Sequence, residues 1–262
     1  MRHVHATQAD SLPGAIVATA NEYPAGHRVG AHSHRRSQLL YPSTGLMMIA
    51  TEAGRWIVPS ERAVWIPAGM QHDVHAFVHV STRSLYVERG VDEALPGDCR
   101  VIGISPLMRQ LLLETADLPL PYEKGSRTEL IFSLLVQEVI RAPALPLDIP
   151  FPADARLAQR CRAYLENPTP HESIDDWCRD LAMSRRTFTR RFREQTGMSF
   201  ATWRRQASIF AALPRLAAGD PVTTIAFDLG YESASAFTTM FRRVVGVPPS
   251  RYLLAGAGSV SA

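Results

Sequence analysis

The sequence predicts a multidomain α and β protein, with an N-terminal β-barrel of the jelly-roll type and a C-terminal all-α domain that contains two helix-turn-helix units. Three observations support this fold class. Short β-type segments fill residues 14–90, a helix-turn-helix pattern occurs twice in the last third of the 262 residues, and eight of the nine histidines precede residue 80. Strand-rich and helix-rich stretches that are separated along a chain indicate separate domains.

The barrel is predicted from segments rich in Val, Ile, Trp and Tyr that are bounded by Gly, Pro and Ser. Many short strands at close spacing favour a closed barrel or a double-sheet jelly roll. The clearest predicted strands are 37–41, 45–51, 55–59, 63–66 and 84–87.

Two helices with flanking serine caps are predicted after the barrel, at 105–117 and 126–141. We expect them to pack beside the barrel and to carry a homodimer interface, with apolar contacts from Leu111, Leu112, Leu130, Leu134 and Val139. The stretch 142–153 contains four prolines and is predicted to be a linker. The predicted domains are therefore a sensing and dimerisation domain at 1–142, a linker at 143–153, a DNA-binding domain at 154–253 and a disordered tail at 254–262.

The repeat is the most informative feature of the chain. Its two copies are offset by 48 residues at the first three positions and by 49 at the last five, because the second turn has one extra residue. Paired units of this kind indicate DNA recognition, since each supplies a helix that fits a major groove. The matched positions are Ile174, Trp177, Leu181, Ser184, Phe188, Phe192, Gly197 and Trp203, and then Val222, Ile225, Leu229, Ser233, Phe237, Phe241, Gly246 and Tyr252.

The second helix of copy one is predicted to be a recognition helix with an arginine face. Ser184 is its expected cap, and Phe188 and Phe192 must face the core at i,i+4 spacing. In copy two Pro221 is expected at the first helical position, and the outward face of the second helix carries small Ser and Thr side chains. We therefore expect copy one to supply most of the direct base readout, and copy two mainly backbone and shape contacts.

Residues 155–253 resemble the AraC/XylS family of transcription regulators, most specifically at Leu181–Ser184, Thr196-Gly197, Ile225-Ala226, Leu229–Ser233 and Phe241–Arg243. The resemblance implies base contacts from Arg186, Thr189 and Arg190 of the first unit and from Ser235 and Thr239 of the second. The full set of expected DNA-contacting residues is Ser184, Arg185, Arg186, Thr189, Arg190, Arg193, Ser233, Ser235, Thr238, Thr239 and Arg242. Two positions depart from the family pattern: Ser208 replaces a basic residue, and Pro214 is expected to kink the helix that links the units.

Charge and composition agree with double-stranded DNA as the partner. Residues 1–150 carry a formal charge of −2 and residues 151–262 a charge of +5, so the basic half is the one with the repeat. The N-terminus lacks the apolar stretch of a signal peptide, no run is apolar enough for a membrane span, and three scattered cysteines indicate reduced thiols. We therefore expect a bacterial cytoplasmic protein that does not associate with membranes.

The N-terminal histidines predict a metal site. His32 and His34 occupy alternate positions of a predicted strand, and His72 follows a tight turn. This spacing resembles the two-part signature of the cupin superfamily, which implies one divalent transition metal (Ni, Zn, Fe or Mn) held by His32, His34, Gln38 and His72. Gln38 stands where that family has a glutamate and brings no negative charge. The alternative is a barrel that keeps these histidines for packing and hydrogen bonding, without metal.

The barrel mouth is the expected place for a small-molecule effector. Aromatic and methionine side chains are the candidates for its lining, namely Tyr41, Met47, Trp56 and Trp65. Residues 32–72 also resemble the sensor domain of the nitroimidazole-resistance subgroup of AraC regulators. That resemblance implies a toxic aromatic or heterocyclic effector and control of an efflux gene.

The sequence therefore predicts a ligand-responsive DNA-binding transcription regulator that is not an enzyme. The main alternative is a metal-dependent cupin enzyme fused to a DNA-binding domain, but no acid/base pair lies beside the histidines in the sequence. A third interpretation, an architectural DNA-binding protein, accounts poorly for a complete sensor-like barrel and a net charge of only +3.

Overall fold

The computed structural model describes residues 6–60, 62–145, 147–168, 171–245 and 248–250. The chain divides into two compact units. The β unit comprises Met1–Thr51 and Trp56–Pro146, and the helical unit comprises Glu52–Arg55 and Leu147–Ala262. The tail predicted to be disordered, 254–262, lies outside the described residues.

The β unit is built on two antiparallel sheets, as the jelly-roll prediction requires. The strands are β1 (Ile16–Tyr23), β2 (Arg28–His32), β3 (Ser37–Pro42), β4 (Leu46–Thr51), β5 (Gly54–Pro59), β6 (Arg62–Ile66), β7 (His72–Ala76), β8 (Val80–Val87), β9 (Arg100–Gly103) and β10 (Ala144–Leu145). One sheet has the order β1-β8-β3-β6-β9-β10, and the other contains β5-β4-β7-β2.

Two capped helices cover the outer face of the first sheet. Helix α1 (Pro106–Glu114) begins after Ser105, whose hydroxyl accepts from the Met108 backbone, and a 3-10 turn, Thr115–Asp117, follows it. Helix α2 (Arg127–Arg141) begins after Ser126, which caps it in the same way. Both predicted helices and both predicted caps are therefore confirmed. The core between sheet and helices includes Leu39, Tyr41, Trp65, Leu85, Met108, Leu112, Phe132, Leu135 and Val139.

The segment predicted as a linker is more ordered than expected. Ala144–Leu145 pairs with β9 as strand β10, and Asp148–Pro150 forms a further short strand, β11. Three apolar side chains between the prolines, Leu147, Ile149 and Phe151, are buried, and the Phe151 backbone donates to Ala53. Proline is compatible with short edge strands, so the composition alone did not exclude them.

The helical unit contains the predicted tandem helix-turn-helix units. Its helices are α3 (Ala155–Glu166), α4 (Ile174–Asp180), α5 (Arg185–Thr196), α6 (Phe200–Ala217), α7 (Val222–Asp228) and α8 (Ala234–Val245). Asp154, Ser173 and Ser184 cap α3, α4 and α5. Pro221 occupies the N-cap position of α7, one residue earlier than expected, and provides no side-chain cap. Helix α6 continues through Pro214 to Ala217.

None of the helices in the described ranges is long and apolar enough to cross a lipid bilayer.

Candidate functional site

Helix α5 presents the arginine face that its sequence pattern predicts. Phe188 and Phe192 are completely buried, and Arg185, Arg186, Thr189, Arg190 and Arg193 are all exposed. Together with Glu194, these five exposed side chains line one open surface concavity. A helix with one apolar edge fixed in the core and an exposed guanidinium edge has the form of a major-groove reading element.

Two arginines of this face have acidic partners on the protein. Both oxygens of Glu194 accept from the Arg190 guanidinium at 3.1 Å, and Asp175 lies 4.0 Å from Arg185. Each of these four side chains is more than half exposed, so water screens both pairs and each contributes little to stability. The arginines can therefore exchange a carboxylate partner for phosphate or a base edge at low cost.

Helix α8 presents the smaller face predicted for the second unit. Phe237 and Phe241 are completely buried, and the backbone of Ala236 donates to the hydroxyl of Ser233, which directly precedes the helix. The remaining predicted contact residues are exposed or half-buried, namely Ser235, Thr238, Thr239 and Arg242. Short hydroxyl side chains permit close backbone approach and offer few paired hydrogen bonds.

An aromatic cluster fixes α5 against its neighbours. The Phe188 ring lies 6.2, 5.4 and 5.1 Å from the rings of Trp177, Phe192 and Phe200. The Trp177 indole donates to Glu172 at 2.8 Å, and the Arg160 guanidinium covers its ring at 4.5 Å. These contacts hold α5 in a fixed position against the core of the unit.

In the β unit, the three predicted histidines converge on one point. His32 ends β2 directly opposite His72 of β7, and their ring centroids lie 4.3 Å apart. His34 lies beyond the end of the strand, not within it as expected, yet its ring is 4.9 Å from that of His32. Each histidine offers one nitrogen, and these three atoms all lie within 4.8 Å of one another. This spacing suits three ligands of one metal ion.

The hydrogen bonds of the histidines leave nitrogen lone pairs for a ligand. Nδ1 of His32 donates to the Gly30 carbonyl at 2.8 Å, and Nδ1 of His72 to Met70 at 3.0 Å, which leaves each Nε2 as the acceptor atom. Among the described residues, His72 Nε2 and both nitrogens of His34 are buried without a hydrogen-bond partner. Burial lowers the pKa of His34 and of His72 to about 4, so both are neutral near pH 7, as metal ligands must be.

Gln38 approaches the same cluster from the opposite sheet. Its side-chain nitrogen donates to Ser84 and to the Tyr86 hydroxyl at 3.2 and 3.1 Å, and the Tyr86 ring lies 5.1 Å from that of His34. The Gln38 Oε1 is buried and accepts no hydrogen bond within the described part of the chain. Sequence reasoning missed Ser84 and Tyr86, because their contribution depends on which strand of the first sheet lies beside β3.

Two predicted effector-lining residues belong elsewhere. Tyr41 and Trp65 lie in the core between the first sheet and its helices, and the Trp65 indole donates to the Pro96 carbonyl. Their placement as pocket residues was wrong, because side chains alternate along a strand and theirs share the outer face with Leu39. Met47 and Trp56 are buried in the second sheet, and their contact with an effector stays a prediction.

Comparisons with known proteins match both domains of the chain. Residues 177–255 match the model of a helix-turn-helix domain, and residues 13–130 match that of an AraC-like ligand binding domain. The chain is 31% identical over 222 residues to the HTH-type transcriptional regulator NimR of Escherichia coli. The aligned segment covers 85% of this chain and 81% of NimR. The chain therefore belongs to the AraC family of transcription regulators, with a ligand-binding and a DNA-binding domain.

Two solved structures are similar to this chain. The DNA-binding domain of AdpA, solved with a target DNA, is 32% identical over 38% of this chain and 91% of that one, with a TM-score of 0.36. ToxT of Vibrio cholerae, solved with a bound unsaturated fatty acid, is 13% identical over 96% of this chain and 99% of that one, with a TM-score of 0.40.

Proposed function

We propose that this protein reads promoter DNA mainly through α5, and that its N-terminal barrel binds a divalent transition metal and a small-molecule effector. The observation that supports DNA reading best is the continuous exposed face of Arg185, Arg186, Thr189, Arg190 and Arg193, held by two buried phenylalanines. Helix α8 then contributes backbone and shape contacts through its small hydroxyl side chains.

Selection of binding sites from a random DNA library tests this division of labour. We expect one half-site with sharp base preference, and we expect Arg190→Ala to relax that preference. The other half-site should show weaker preference that Ser235→Ala or Thr239→Ala hardly changes. Sharper preference in the half-site that responds to the α8 variants would contradict the proposal.

The metal part of the proposal rests on the donor set of the barrel. The three histidines each place one nitrogen within 4.8 Å of the others. Two of these histidines are buried and lack a complete set of hydrogen bonds among the described residues. Such a donor set fits a first-row ion such as Ni, Zn, Fe or Mn. The carbonyl oxygen of Gln38 is a further available donor. A bound ion would act there as a Lewis acid that attracts donor atoms of an effector.

Metal content of the untagged protein is the direct test. We expect close to one equivalent of a transition metal per chain in the wild type, and its loss on His34→Ala. A wild-type protein that binds no metal when supplied with each of the four ions would contradict this part and leave the barrel as a metal-free binding pocket.

We further propose that the effector is a small aromatic or heterocyclic compound and that the regulated gene encodes an efflux transporter. The 31% identity to NimR over most of both chains supports a similar sensor domain, which is the basis for this expectation. A thermal-shift panel of aromatic and heterocyclic compounds tests it, followed by DNA binding with and without each hit. An effector must bind one state more tightly than another to change DNA binding.

We also propose that the protein acts as a homodimer in the bacterial cytoplasm, where promoter DNA is found, and that it is not an enzyme. Leu107, Leu130 and Leu134 of α1 and α2 are 50%, 64% and 41% exposed, so they are available for a second copy. Leu112 and Val139, expected to contribute, are instead buried in the core. Sedimentation of Leu130→Glu should show a monomer where the wild type is a dimer.

Because we propose that the protein is not an enzyme, we expect no turnover of the compounds that it binds.

A further inference from the structure

The segment before β1 is fixed to the β unit by a buried arginine. The side chain of Arg36 is 1% exposed, and its guanidinium donates to the carbonyl oxygens of Ala9, Leu12 and Gly14 at 2.6, 2.9 and 2.7 Å. It also forms an ion pair with Glu88 at 3.0 Å. A guanidinium has five donors in a fixed plane, so it holds residues 9–14 in one conformation.

This fixed segment carries a carboxylate to the histidine cluster. Asp10 Oδ2 accepts from the backbone nitrogen of Arg35, the residue after His34, at 2.9 Å. Ala9 is completely buried against Tyr86, and the Tyr86 ring contacts that of His34. The first contact places the Asp10 carboxylate one residue from His34 along the chain, and the second packs the neighbouring Ala9 against the ring that contacts His34.

The other carboxylate oxygen lacks a hydrogen-bond partner. Asp10 Oδ1 is buried and accepts no hydrogen bond from the described residues, and it lies 4.0 Å from the Nε of Arg35. A buried carboxylate oxygen without a donor is costly, and a group of this kind calls for an explanation such as a bound ion or its water.

We infer that Asp10 is the acidic member of the three-histidine site and supplies, beside His34, the negative charge that Gln38 does not. This inference rests on the proposed metal site and adds a residue to it. Asp10 is not among the three residues whose donor atoms lie within 4.8 Å of one another, and both nitrogens of His34 lack a hydrogen-bond partner among the described residues, so Asp10 acts as a nearby charge that offsets that of the cation and not as a ligand. Groups outside the ligand set tune metal affinity in this way.

Titration of the full-length, untagged protein with Zn²⁺ and Co²⁺ against a chromophoric chelator tests the inference. We expect Asp10→Asn, which keeps the shape of the side chain, to weaken the affinity by roughly 10- to 100-fold. The matched control is Asp98→Asn, since Asp98 is an exposed carboxylate of the same unit whose partner is Arg100. The affinity of Asp98→Asn for both metal ions should stay within about twofold of that of the wild type.

A charge-restoring variant separates electrostatics from folding. Adding Gln38→Glu to Asp10→Asn should recover most of the lost affinity, because it returns one negative charge to the cluster. The visible spectrum of bound Co²⁺ should change in Asp10→Asn and not in Asp98→Asn, a response that a merely structural role would not produce.

The possible results distinguish this inference from the proposed function. Unchanged affinity in Asp10→Asn, together with loss of binding in His34→Ala, would overturn the role of Asp10 and leave the metal site standing. Absence of Zn²⁺ and Co²⁺ binding in the wild type would overturn the metal site itself. Weakened binding in Asp10→Asn without recovery in the double variant would overturn the charge-supplying role.

Discussion

The two helix-turn-helix units share one framework but differ in what they place on it. Both bury an i,i+4 phenylalanine pair, and both leave their first helix through a residue with positive φ, Ala182 at 53° and Gly230 at 75°. The first unit adds an aromatic cluster, a capping box and an arginine face. Among the described residues, the second has fewer aromatic contacts, and it has an α7 without a capping side chain and a hydroxyl face. The core therefore defines the fold, and the two units differ mainly in their exposed residues.

Phenylalanine truncation is expected to give the largest effect and to differ between the units. Phe188→Ala should lower the free energy of unfolding by about 3–5 kcal/mol, since it leaves a cavity and removes three ring contacts. Phe237→Ala removes ring contacts with only Tyr231 and Phe241 among the described residues, so its loss should be smaller. Denaturant unfolding of the two variants measures both values. Equal losses would show that the aromatic cluster adds no stability to the first unit.

The repeat itself was the part of the fold most accurately predicted from sequence, and the reason is physical. Core positions of an amphipathic helix recur at three- and four-residue spacing, so Phe188 and Phe192 identify their own buried face. The strand β3 gives no such signal, because both of its faces are buried. Tyr41 and Gln38 therefore could not be assigned to the helix side and the histidine side from sequence alone.

The candidate site was predicted in part for a similar reason. His32, His34 and His72 were found because their spacing along the chain carries the pattern. Asp10 approaches through a tertiary contact, the hydrogen bond from the Arg35 backbone, and no local pattern marks it. The role of Arg36 in holding residues 9–14 is likewise invisible before the fold is known.

Substitution on the exposed faces should give the second largest effect. Arg190→Ala is expected to cost about 1–3 kcal/mol of discrimination between specific and random DNA if the guanidinium reads a base. Thr239→Ala in the second unit should cost about 0.5–1.5 kcal/mol or less, the value of a single neutral hydrogen bond. Titration of each variant with both DNAs checks this. An equal loss on specific and random DNA would identify Arg190 as a phosphate contact.

Helix capping distinguishes the units by a smaller amount. The Ser173 hydroxyl accepts from the Asp176 backbone, and the Asp176 carboxylate accepts from Ser173 in return. Ser173→Ala should therefore destabilise the domain by about 1 kcal/mol. Pro221 offers α7 no capping side chain, so the second unit has no equivalent contact to lose.

The same capping box predicts a pH dependence. Hydrogen bonds from Ser173 lower the pKa of Asp176 from its usual 3.8 to about 2. A depressed pKa in the folded state contributes stability above the unfolded pKa, and that contribution is lost as the pH falls from about 4 through about 2. Stability curves between pH 2 and 6 should therefore fall less steeply in Ser173→Ala than in the wild type. Parallel curves would mean that the box does not form in solution.

The turn residues provide the smallest contrast between the units, and here the two substitutions should change the stability in opposite directions. Ala182 adopts a left-handed conformation that costs an L-residue roughly 1–2 kcal/mol, and Gly230 adopts it without that cost. Because Ala182 is exposed, its methyl group contributes little packing, so Ala182→Gly should stabilise the first unit by about 0.5–1 kcal/mol after the entropy of the unfolded glycine is counted. Gly230→Ala should destabilise the second unit by a similar amount. Thermal unfolding of both variants tests the pair, and a destabilising Ala182→Gly would show that the first turn relaxes out of the left-handed region in solution.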